Sequence, residues 1–200
     1  MSTNRTTLTM EIRSANGSTT EFFESDKERV REALRLLAAP RLFSEPHLLL
    51  ASQDCASMIP CRGIDMILVY TSAQLPIKFP LDLPAGHFDF VEHEYAWPDD
   101  KGHSIDEQGP QRGQSRQRYA QLEIHTVGGW AVTLKAVATF HGTLQDEIQL
   151  FSRLPNFPTI PFRLKDGGFG LLNTANIVRV SAWPKPEVIP ALSLPLELRL

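Results

Sequence analysis

Apolar and polar residues alternate along the first part of the chain. Between positions 8 and 14, Leu8, Met10, Ile12 and Ser14 fall on one side and Thr9, Glu11 and Arg13 on the other, the period of a strand with one face buried. Asn16-Gly17 supplies the positive-φ turn of a tight hairpin, and residues 19–24 read as its return strand. The period then changes. Ser25 and Glu28 predict a capping box at a helix start, and Val30, Ala33, Leu34 and Leu37 form one stripe at three- and four-residue spacing over 26–38, closed by Pro40. Residues 47–51, 57–59 and 64–71 read as strands, the last apolar on both faces and therefore interior to its sheet.

Strand periodicity returns at Tyr119. Leu122, Ile124 and Thr126 alternate with Gln121, Glu123 and His125, and Gly128-Gly129 turns the chain. Trp130, Val132, Leu134, Ala136, Ala138 and Phe140 then make the longest alternation in the sequence. A short helix is expected over 144–154, with Ile148, Phe151 and Leu154 as its core stripe. A hairpin turning at Asp166-Gly167-Gly168, a break at Asn173-Thr174 and a strand over 177–183 complete this half.

Residues 160–183 can be laid over 47–70 without a gap, Ile64 on Ile177, Ile67 on Val180 and Tyr70 on Trp183, and LEIHTVGG resembles MEIRSANG. The expected fold is therefore α+β: two pseudo-repeated units of antiparallel sheet with one helix each (β-β-α-β-β), joined by a long loop. The units are expected over 1–75 and 118–200, with 76–117 as a Pro/Gly-rich acidic connection. Whether they join edge to edge or pack face to face is open. Beyond them, Leu192, Leu194, Leu196, Leu198 and Leu200 occupy every second position. An extended tail there shows an all-leucine face, which either packs on its own chain or docks as an arm on a second subunit.

Composition narrows this picture. The 42% hydrophobic and 22% charged residues are those of a globular chain, and 15 prolines limit helix length. A net charge of -3 gives no long-range attraction to phosphate, so no nucleic-acid partner is expected. No apolar run reaches the roughly 18 to 20 residues that span a bilayer, and no secretory h-region opens the chain. A bacterial-type cytoplasmic setting, without membrane contact, follows as the expectation.

The chemistry-bearing residues form no complete motif. The sequence holds no G-x-S-x-G, S-x-x-K, P-loop, G-x-G-x-x-G or H-E-x-x-H. Cys55 and Cys61 stand alone and read as reduced core thiols. Gly167-Gly168-Phe169-Gly170 lies between strands and reads as a hairpin turn rather than a phosphate cradle. His87, Asp89, Glu92, His93 and Glu94, with His103 nearby, are ligand types for zinc, manganese or iron at a spacing no established site uses. His125 and His141 read as solvent-facing or hydrogen-bonded, and Arg112, Arg116 and Arg118 as a solvated run. No catalytic, metal or cofactor residue is therefore assigned. The expected function is a non-catalytic protein-binding or self-assembling module, partnered by another protein or its own copy. The alternative is a small-molecule or metal site, catalytic or not, between the two halves.

Overall fold

The computed structural model describes residues 6–37, 42–51, 56–75, 86–90, 116–140, 156–165 and 167–183, with backbone alone at 86, 87, 116–120, 136–140 and 183. The chain runs β1 (Leu8–Ser14), β2 (Thr19–Glu24), α1 (Lys27–Leu37), β3 (His47–Ala51), β4 (Ala56–Pro60), β5 (Ile64–Thr71), β6 (Gly86–Phe90), β7 (Arg116–Thr126), β8 (Ala131–Phe140), β9 (Thr159–Arg163), β10 (Phe169–Asn173) and β11 (Ile177–Trp183). Short 3-10 turns at Cys61–Gly63 and Thr174–Asn176 lead into β5 and β11.

Local patterning is obeyed closely. Leu8, Met10 and Ile12 are buried, as their alternation requires. Gly17 takes a φ of 81° at the first hairpin turn, where Asn16 Oδ1 accepts from Ser18 N at 2.9 Å and closes the turn from the side. On α1, Val30 and Leu37 are buried and Ala33 and Leu34 pack beside them. The helix cap differs from expectation. Asp26 Oδ1 accepts from Glu28 N at 3.1 Å and Arg29 N at 2.9 Å, so a charged carboxylate, a stronger acceptor than the Ser25 hydroxyl, takes the free amides. The amides of Asp26 and Ser25 in turn hold the half-buried Glu24 carboxyl below its ordinary range.

The two-unit β-β-α-β-β layout is corrected by the strand pairing. Among the described residues, one nine-stranded mixed sheet runs β11-β7-β8-β6-β9-β10-β5-β1-β2, and β3 pairs only with β4 in a separate two-stranded sheet. β5 joins the halves, antiparallel to β1 on one side and to β10 on the other. The long connection is not all loop: its β6 lies between β8 and β9, antiparallel to the first and parallel to the second. Residues 47–70 and 160–183 share an order of strand, strand, 3-10 turn and strand but occupy different places, since β9 and β10 are interior to the large sheet. The only helix of eight or more residues among the described residues is α1. The expected helix over 144–154, most of the connection and the leucine-alternating tail lie outside the described residues.

Two apolar clusters lie on opposite faces of this sheet. Met66 and Leu68 of β5 join Leu122, Ile124, Leu134, Ile160, Phe162 and Leu172. Ile64, Ile67 and Val69 of the same strand join Leu8, Ile12, Val30 and Phe169 under α1 and the β3–β4 hairpin. A register shift between Arg13 and Ser14 lets Ile64 share a face with Ile67 despite their odd spacing. Residues 64 to 69 are all buried, which is why this strand is apolar on both sides. β10 and β11 are far apart in sheet order yet joined by three residues. The sheet therefore curls around the first cluster.

Candidate functional site: sheet edges around a buried polar junction

The curl brings the turn of the β7–β8 hairpin onto the start of β5. Asp65, fully buried, accepts through Oδ2 from Thr126 Oγ1 at 2.6 Å and Gly128 N at 2.7 Å. Trp130 Nε1 donates to Ser14 O at 3.1 Å, and the Arg13 guanidinium stands 4.9 Å from the Trp130 ring centroid. From the other end, Asn173 Nδ2 donates to Cys61 O at 3.1 Å and Ile64 O at 2.8 Å, while Asn176 Nδ2 donates to Arg62 O and Ile64 O, each at 3.0 Å. These side chains satisfy carbonyls that the turn into β5 leaves without strand partners. Enclosed in this way, Asp65 holds two elements together rather than meeting a solute.

Outside the junction, apolar side chains reach solvent at the sheet margins. Leu49 and Met58 are directly paired across β3 and β4 and are 67% and 65% exposed, whereas Leu48, Leu50 and Ile59 on the other face pack into the core. Val178 on β11 and Phe23 on β2 are also about two-thirds exposed, at 64% and 66%. β2 and β11 are the end strands of the large sheet. Open edges carrying apolar side chains are prone to pair with another strand.

The residues singled out in the sequence scatter. His87 lies in β6 across from Val137, and Asp89 lies across from Lys135 with Arg163 on its other side. That register surrounds Asp89 with cations, which favours ion pairing over metal ligation. Glu92, His93, Glu94, His103, His141, Arg112 and Cys55 lie outside the described residues. Among the described residues, no group of three or more His, Cys, Asp or Glu could hold a metal ion. Arg116 and Arg118 open β7 across from Phe140 and Ala138, so that strand begins inside the expected connection.

His125 contacts Glu123, and its Nε2 lies 2.6 Å from an Arg179 guanidinium nitrogen, a polar cluster on the outer face of β7 and β11. Gly167 turns the β9–β10 hairpin at a φ of 85°, with Leu164 N donating to Gly168 O at 2.9 Å. The glycine-rich run is thus a turn between strands. Asp65 and Asn176 carried no expectation and Asn173 only that of a chain break, although a lone carboxylate inside an apolar strand run was a visible signal of a buried polar contact.

Cys61 is buried, with Sγ 3.8 Å from Leu42 O. Burial, and then the charge of Glu45, push its thiol above the ordinary range. In a Cys55→Ser protein, where Cys61 is the sole thiol, alkylation at pH 8 is expected to proceed only as fast as the fold opens. Prompt labelling of the folded protein, at the rate of a urea-unfolded control, would contradict this burial.

No helix among the described residues is long and apolar enough to cross a membrane. No family model matches the chain, and neither a curated protein nor a solved structure matches it.

Proposed function

We propose that this chain is a protein-binding or self-assembling module that works through strand addition at its sheet margins. The observation carrying this reading is the position of its exposed apolar side chains. Phe23, Leu49, Met58 and Val178 lie on strands with one edge that no described residue pairs, and Leu49 and Met58 adjoin on one surface. Main-chain groups of an edge strand supply affinity for an added strand, and alternate side chains supply its selectivity. Burying one such side chain on association is worth roughly 1.5 to 3 kcal/mol.

A photo-cross-linking residue placed at Met58 or Val178 in cells is expected to yield adducts with a second polypeptide, either this chain or another. The same residue at exposed Leu36 on helix α1 serves as the control. Adducts from Leu36 alone, or from none of the three positions, would sink the reading.

A further inference from the structure

Three strand pairings of the first half recur in the second. β1 pairs with β2 and with β5, and β3 with β4. Likewise β7 pairs with β8 and with β11, and β9 with β10. The likeness extends to single bonds. Ala15 N donates to Gly63 O as Val127 N does to Asn176 O, both at 2.9 Å, and Cys61 N donates to Pro46 O as Thr174 N does to Pro158 O. The register shift at the start of β5 has its counterpart at the start of β11. One pairing has no counterpart: β10 lies against β5, whereas nothing among the described residues lies against the outer edge of either β4 or β11.

Those two edges are oriented to meet. Because Cys61 N bonds Pro46 O, alternation turns the main-chain groups of Ser57 and Ile59 toward β3 and those of Ala56 and Met58 outward. Because Thr126 N bonds Trp130 O, Ile124 and Leu122 bond to β8, and Glu123 and His125 bond to β11. Arg179 and Ser181 therefore bond inward to β7, and Val180 and Ala182 present their main-chain groups outward.

We infer that copies of this chain assemble head to tail, with β11 of one copy adding antiparallel to the outer edge of β4 in the next. The register is the one β5 and β10 use within the chain. There, Val69, Leu68, Ile67 and Met66 lie across from Phe169, Gly170, Leu171 and Leu172. Between copies, Ala182, Ser181, Val180 and Arg179 lie across from Ala56, Ser57, Met58 and Ile59. Val180 with Met58, and Ala182 with Ala56, exchange main-chain hydrogen bonds, and the exposed Met58 is covered by Val180. Because the two edges differ, the contact is heterologous: it forms a ring where the rotation closes and a filament where it does not. This inference rests on the self-assembly form of the reading above.

Disulfide trapping in a Cys55→Ser background tests it. Ser57 and Ser181 face each other at a close, non-hydrogen-bonded pair in this register, where a disulfide fits. Chains carrying Ser57→Cys and Ser181→Cys are expected to stay unlinked when oxidised separately and to form a 57–181 dimer when mixed. A chain carrying both is expected to form a ladder or one closed species. Sedimentation of the unmodified protein is expected to give a multiple of the 22.4 kDa chain mass. Met58→Pro removes an outward amide and a side chain that is already exposed, and is expected to lower that mass to one chain without lowering the melting temperature.

Links of 57 to 57 or 181 to 181 would overturn the register. A sedimenting mass of one chain at every concentration, with no mixed disulfide, would overturn the assembly. If the cross-linkers at Met58 and Val178 then still capture a different polypeptide, the binding-module reading survives without head-to-tail assembly. If they capture nothing, both fail.

Discussion

Replacing Asn173 by Asp is expected to lower stability at pH 7 by about 3 to 5 kcal/mol, the scale of an uncompensated buried charge. Asn173 is buried and its Nδ2 donates to two main-chain carbonyls, Cys61 O and Ile64 O. The same side chain caps the Thr174–Asn176 turn by accepting from Ala175 N through Oδ1. A carboxylate keeps the acceptor but sets a negative oxygen against two others. Asn173→Ala, which removes one donor from each carbonyl without adding charge and leaves Ile64 O the Asn176 amide and Cys61 O the Ile64 amide, is expected to cost about 1 to 3 kcal/mol.

The two variants also separate by pH. A carboxyl facing acceptors has its folded-state pKa raised above the unfolded value of about 3.9. The protonated acid fits and the ionised one does not, so the Asp penalty is small below about pH 4 and grows as pH rises through the interval above it. The Ala penalty has no such dependence. Urea titrations of both variants at several pH values measure this. Equal stability curves for Asp and Ala would show that Asn173 does not bond those carbonyls.

Phe162→Ala is expected to cost about 3 to 5 kcal/mol, a large part of the roughly 5 to 15 kcal/mol that holds a domain folded. The ring is fully buried in the first cluster, tilted against Phe90 at a centroid separation of 6.5 Å. It also lies directly over Gly170, its cross-strand neighbour. A Cβ at Gly170 would meet ring atoms at 2.0, 2.3 and 2.5 Å, so Gly170→Ala in the native background is expected to cost about 1 to 3 kcal/mol or more by overpacking. In the Phe162→Ala background that clash has no partner. The double variant is therefore expected to be more stable than the sum of the single losses implies. Additive losses would mean that the ring does not rest on the glycine.

Much of the secondary structure was legible because its causes are local. The alternation of Leu8, Met10 and Ile12 and the stripe of Val30, Ala33, Leu34 and Leu37 each follow from one element having one apolar neighbour. The two-faced apolar run of β5 showed an interior strand. The helix cap was misplaced by one residue because Ser25 and Asp26 are both good acceptors and only the backbone path selects between them. β6 was missed because five residues, GHFDF, within a proline-rich segment carry too little periodicity to stand out. Asp65 was visible as a charge in a buried strand, but its donors Thr126 and Gly128 lie on another hairpin and no spacing connects them.

By itself, then, the sequence determined where most of the strands and helix α1 form and which of their faces are apolar. Tertiary structure decided the partners. Main-chain amides and carbonyls are chemically alike along every strand, so pairing is chosen by which side chains pack once the chain has folded. That choice set β10 beside β5 and merged the halves into one curled sheet with a core on each face.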